Sequence, residues 1–167
     1  MKFKLCSLLI LTLFVKTAYA QQPPTYPRVT GYFSFVTPIA TWTNNHITPN
    51  FSDGYSIGFP MGINLLKSDK FGISFEIAPT IRTENNVSKV STVLFHPGAM
   101  FRFNHGFTII GRLAFETSGR FGVTPVFNKV VIKGKDANLF VSVPFPVRMG
   151  NNLPLSIGTG LQVGVSF

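Results

Sequence analysis

The sequence predicts an all-β chain: a closed antiparallel up-and-down transmembrane β-barrel of about eight strands with a polar lumen filled by side chains. Three observations predict it. The stretch from Leu153 to Phe167 alternates between a large apolar face and a small polar one. Phenylalanine is abundant, with 18 among 167 residues. Beyond the first twenty residues, no segment has the i, i+3, i+4 apolar spacing of an amphipathic helix.

The N-terminus sets the expected compartment. Lys2 and Lys4 precede an apolar run from Leu5 to Val15, and Ala18-Tyr19-Ala20 forms an A-x-A cleavage pattern before Gln21. Residues 1–20 are therefore expected to be a cleaved secretory signal peptide. A membrane-spanning helix needs about 20 apolar residues; this run is shorter and Lys16 ends it. Cys6 lies at the start of the apolar run, not after it where lipoprotein processing would need it. Residues 21–167 then form a single domain without cysteine, so disulfides and thiol chemistry are excluded. Three of the 15 basic residues belong to the signal, which leaves 12 against six acidic ones, a net +6. A basic exported chain suits phosphate-rich partners. Lipopolysaccharide is better placed than nucleic acid, for which there is neither a basic run nor a recognition helix. A solvated surface that is merely basic is the plainer alternative.

The strands follow from period-two alternation. In the last one, Leu153, Leu155, Ile157, Thr159, Leu161, Val163, Val165 and Phe167 share a face, and Ser156, Gly158, Gly160, Gln162 and Gly164 lie on the other. The polar face carries no lysine or glutamate to meet water, so it suits a crowded barrel interior, while the apolar face suits lipid. Phe71–Arg82 repeats the pattern and puts Glu76 and Arg82 on the polar face. Val93–Phe103 adds His96 and Arg102, and Phe107–Glu116 adds Arg112 and Glu116. Val29–Ala40, Tyr55–Leu65, Phe121–Val131 and Asn138–Arg148 complete the eight. At that number side chains fill the interior, which excludes a porin for sizeable solutes. Lys67-Ser68-Asp69 and Asn104-His105-Gly106 read as tight periplasmic turns, and Thr41–Gly54 and Thr83–Lys89 as longer external loops.

These features together, with an alternating C-terminal strand that ends in an aromatic residue, resemble small bacterial outer-membrane β-barrel proteins. The resemblance implies residence in the outer membrane, contact with its lipid, and a role for Phe167 as the signal read by barrel-assembly machinery. The phenylalanine-rich style, and the segment from His96-Pro97-Gly98 through Gly119-Arg120-Phe121, resemble uncharacterised barrels of the Bacteroidetes, a group that supplies no function.

The expected luminal polar cluster is Glu76, Arg82, His96, Arg102, Arg112, Glu116, Arg148 and Gln162. Opposite charges buried together must pair. Arg112 and Glu116 lie about 13 Å apart along one strand, so each needs a partner elsewhere, and Glu76 is expected to meet Arg102 or Arg112. The structural reading is a plug; the functional one is a narrow pore or proton path. For catalysis the one grouping is His46, Ser52 and Asp53 in the first long loop, which lacks the fixed geometry a nucleophile needs. The histidines 46, 96 and 105 are scattered, and no metal or other cofactor is expected. Trp42, Tyr32 and Tyr55 are read as interfacial anchors. The leading expectation is a non-enzymatic structural or surface-interaction barrel. The alternatives are an outer-membrane enzyme acting on lipid A, and a soluble exported barrel that holds an apolar ligand, as lipocalins do. Oligomeric state is left open.

Overall fold

A computed structural model describes residues 25–52 and 54–167; the expected signal peptide and Asp53 lie outside them. The alternating segments form one antiparallel sheet of eleven strands rather than eight: β1 (Arg28–Thr43), β2 (His46–Pro49), β3 (Tyr55–Gly58), β4 (Met61–Leu66), β5 (Phe71–Glu84), β6 (Val87–Arg102), β7 (Phe107–Glu116), β8 (Phe121–Lys133), β9 (Asn138–Pro144), β10 (Val147–Gly150) and β11 (Leu153–Ser166). β1 pairs with β4 on one side and with β11 on the other, from Tyr32↔Ser166 to Thr43↔Ser156. The first and last strands thus join, and the sheet returns on itself.

Proline explains two of the additional strands. Proline has no N–H to give to a ladder, so Tyr55–Leu65 is divided into β3 and β4 at Phe59-Pro60, and Asn138–Arg148 into β9 and β10 at Phe145-Pro146. Backbone bonds bridge both breaks: the Phe59 N–H donates to the Pro79 carbonyl at 2.9 Å, and the Gly158 N–H to the Pro146 carbonyl at 2.8 Å. The third, β2, lies inside the stretch expected to be a loop.

That stretch and Thr83–Lys89 are largely hairpin. Asn44-Asn45, Asn85-Asn86 and Asn151-Asn152 all have positive φ, between 49° and 62°. Two-residue turns with both central φ values positive match the right-handed twist of the strands they join, and asparagine tolerates that region. These three turns and Ser118-Gly119 mark one end of the sheet, the upper end. β6 meets β7 only from Leu94 downward, so the β5–β6 hairpin projects beyond the β7–β8 turn. Ser91 is an extra residue in that hairpin, since Thr80 faces Thr92 and Ile81 faces Val90.

Within the ring, alternate residues point inward. Tyr32, Ser34, Ser74, Glu76, Ala78, His96, Met100, Ile110, Arg112, Thr124, Val126, Phe140 and Gln162 are buried, while Phe33, Phe35, Phe75, Ile77, Phe95, Phe101, Leu113, Phe115, Leu161 and Val163 are exposed. The polar face is therefore inside. The lipocalin-like alternative needs the apolar set to line a cavity, and these side chains lie outside it. Tyr32 corrects the expectation of an interfacial anchor: it shares the inward register with Ser34, between the outward Gly31 and Phe33. Trp42 and Tyr55 are exposed. Glycine makes room for the larger luminal groups. A Cβ on Gly62 would sit 2.6 Å from the Tyr32 hydroxyl, and one on Gly98 would sit 2.7 Å from Cγ of Arg112.

Candidate functional site

The interior polar groups gather at mid-height, most of them in one hydrogen-bonded network and Gln162 with Ser34 beside it. Glu76, on β5, faces His96 across the β5–β6 pair. Its Oε1 meets Nδ1 of His96 at 2.8 Å, and its Oε2 accepts the Tyr32 hydroxyl at 2.7 Å and lies 3.2 Å from Nη1 of Arg112. The carboxylate thus ties β1, β6 and β7 to β5. Arg112 also donates to the Tyr32 hydroxyl at 2.9 Å and to Ser74 at 3.1 Å. Gln162, on β11, donates to Ser34 on β1 at 2.8 Å. Groups this buried are tolerable only when paired and hydrogen-bonded; Glu76, His96, Arg112 and Gln162 are each 5% exposed or less.

A second pair lies above the first. Nε of Arg148 donates to Glu116 at 2.8 Å, and its Nη1 donates to Thr124 Oγ1 at 3.0 Å and to the carbonyls of Val123 and Val147. Thr124 links the two pairs, because the same Oγ1 lies 2.8 Å from Nε2 of His96. With Arg148 donating to the hydroxyl oxygen, the threonine proton can point at Nε2 while Nδ1–H donates to Glu76. A hydroxyl, an imidazole and a carboxylate therefore stand in line.

The structure brings together six of the eight expected residues: Glu76, His96, Arg112, Glu116, Arg148 and Gln162. Glu76 takes Arg112 as its partner rather than Arg102. Arg102 ends β6 at the lower mouth and lines a cavity there. Arg82 is a correction: it lies on the projecting hairpin past the Ser91 bulge, its side chain is 45% exposed, and it pairs with Glu84. Tyr32, Ser34, Ser74 and Thr124 were missed. Their signal was the inward register itself, read only for charged groups and glutamine. His46 and Ser52 are exposed, and Ser52 donates to the Pro49 carbonyl at 3.0 Å, so that loop grouping is not assembled among the described residues. No group of three or more potential metal ligands occurs among the described residues.

The cluster divides the interior. A lower cavity of about 420 Å³ and an upper one of about 300 Å³ share only Arg112, Val126 and Gln162 in their linings. Phe167 closes the lower end of the β1–β11 seam: its backbone exchanges hydrogen bonds with Gly31 at 2.8 and 2.9 Å, and its ring lies over that glycine.

Comparison with solved structures agrees with the ring of strands. A structure described as a de novo design of transmembrane β-barrels superposes with a TM-score of 0.55 at 10% identity, covering 87% of this chain and 98% of its own. The fold is that of a β-barrel. A second designed barrel, solved in solution by NMR, gives a TM-score of 0.49 at 12% identity, covering 88% of this chain and 96% of its own. The sequence matches no protein-family model and no curated protein. The barrel reads as a plugged one, since mid-height luminal side chains fasten its walls to each other.

Proposed function

We propose that the chain is exported by a cleaved N-terminal signal, is assembled into a bacterial outer membrane through a terminal strand ending in Phe167, and acts there as a plugged structural barrel. Such a protein is of the kind that the uncharacterised Bacteroidetes barrels represent. Its upper hairpins serve as interaction elements. One observation carries the membrane reading: large apolar side chains face outward right around the ring, while Glu76, Arg112 and Arg148 are buried inside and the other charged groups lie towards the two ends. Soluble monomers rarely expose a contiguous apolar patch beyond about 300–600 Å², whereas lipid-facing barrels require an apolar band. The projecting β5–β6 hairpin supports the interaction role, with Val87 and Val90 exposed, as do Ile47 and Phe51 beside β1.

Cell fractionation followed by gel electrophoresis without boiling tests the proposal. The expected result is a membrane-extracted protein whose unboiled band migrates faster than the boiled one. A soluble periplasmic protein with no mobility shift would refute it.

An enzyme acting on lipid esters is a second reading, favoured by the line Thr124, His96, Glu76. Nucleophile and base lie within hydrogen-bond reach, and a third group orients the base. Labelling by an active-site-directed fluorophosphonate separates the two. A covalent adduct on Thr124 selects the enzyme, and an unlabelled folded barrel selects the plug.

A further inference from the structure

The charge of this barrel is segregated by end. Arg28, Lys67, Lys70, Arg102, Lys129, Lys133 and Lys135 all lie at the lower end, seven of the 12 basic residues that follow the signal. The side-chain carboxylates there are Asp69 and Asp136. None of the seven cations takes part in an ion pair among the described residues, where all four pairs lie at mid-height or above. Asp69 is engaged by the Tyr26 hydroxyl.

Four of these cations, Arg28, Arg102, Lys133 and Lys135, line the lower cavity together with one carboxylate, Asp136. With those five groups ionised, the side chains of the lining carry a net +3, which the terminal carboxylate of Phe167, in the same lining, lowers to +2. Arg112 forms part of the same lining, is 5% exposed, and has an Nε without a hydrogen-bond partner. A mouth filled only by water would leave like charges facing one another across a space of about 420 Å³. An anion placed between them removes that repulsion, and guanidinium and ammonium groups make strong charge-assisted bonds to phosphate oxygens.

We propose that the lower cavity is a binding site for a small phosphate-bearing anion of about two to three negative charges. Charge match sets the ligand class: a neutral solute leaves the lining uncompensated, and a single charge leaves it still positive. Lipid headgroups carry the same phosphate chemistry, but they approach the rim from outside, where Lys129 faces outward. The cavity site is therefore distinguishable from rim contacts by experiment.

The test is calorimetric titration of inorganic pyrophosphate into the protein folded in a non-ionic detergent. The fast unboiled band checks folding in every preparation, so loss of binding is not confused with loss of the barrel. Saturable one-to-one binding is expected, weakened at least tenfold in the combined variant Arg102→Gln, Lys133→Gln, Lys135→Gln. It should weaken with added salt. The upper-end control Arg82→Gln, Lys89→Gln should bind as the parent does. Absence of saturable binding overturns the proposal, and so does equal weakening in the control, which would reduce the effect to net charge. Binding seen only in nanodiscs containing an anionic phospholipid, with no response to pyrophosphate, also overturns it and assigns the cations to headgroups outside the cavity.

Discussion

Replacing Glu76 with alanine is the sharpest probe of the mid-height cluster. The substitution removes the partner of three groups at once: Arg112 loses its carboxylate at 3.2 Å, the Tyr32 hydroxyl its acceptor at 2.7 Å, and Nδ1 of His96 its partner at 2.8 Å. Removing one member of a buried pair costs about 3–5 kcal/mol, because the remaining charge is left uncompensated. Arg112 keeps its bonds to Tyr32 and Ser74, which places the expectation near the lower bound, about 3 kcal/mol. Urea-induced unfolding of the protein reconstituted in vesicles measures it. The double variant Glu76→Leu, Arg112→Met removes both charges and should recover much of the loss, since a buried pair replaced by apolar groups is often neutral. Glu116→Ala is the internal comparison. Its pair is less buried, and Arg148 keeps the carbonyls of Val123 and Val147, so about 1–2 kcal/mol is expected. A Glu76→Ala loss below about 1 kcal/mol, or a double variant less stable than the single, would refute the view that this carboxylate fastens the walls.

Three further outcomes follow from the geometry. Ile77→Arg, on the outward face of β5 near mid-height, should cost about 2–4 kcal/mol in vesicles, and Val87→Arg at the hairpin tip no more than about 0.5 kcal/mol; equal small effects at both sites would count against a lipid-facing band. Asn85→Ala forces a non-glycine, non-asparagine residue to φ 49° and should destabilise by about 1–2 kcal/mol, whereas Asn86→Gly should be neutral or better in the same unfolding assay. Glu84 lies on the projecting hairpin, where the Arg82 hydrogen bond and then its charge hold the carboxyl below the usual value of 4.5. A lowered folded value means a contribution complete above the unfolded value and lost as pH falls through the folded one; an NMR titration should show the Glu84 midpoint rising in Arg82→Gln.

Strand existence was legible because alternation records a two-sided environment, and here the sides differ sharply: Phe75 and Ile77 outside, Ser74 and Glu76 inside. Strand ends were harder to read. The polar runs around Asn44-Asn45 and Asn85-Asn86 looked like loops, although paired asparagines are suited to the positive φ of a two-residue hairpin turn. Pro60 and Pro146 carried the signal for the interruptions, but only the folded sheet shows that neighbouring carbonyls keep the halves in place. Arg82 illustrates how register misleads. It has the inward parity of Glu76, yet it lies past the Ser91 bulge and above the lumen, a height that parity does not encode. Thr124 was invisible for the opposite reason: a neutral hydroxyl in a strand says nothing until His96 and Arg148 arrive from β6 and β10.

The unequal ends also bear on how such a barrel enters a bilayer. One end must cross the hydrocarbon and the other need not. At the upper end Arg82 and Glu84 neutralise each other, and Arg120 is engaged by the carbonyls of Arg148 and Pro154, so few bare charges travel with the hairpins. The seven cations below would each have to be dehydrated to make the same passage, and charge in hydrocarbon is costly. If the ring enters a bilayer as proposed, the cheaper route is for the asparagine turns to lead while the cationic mouth stays on the side of entry, and charge placement would make insertion vectorial.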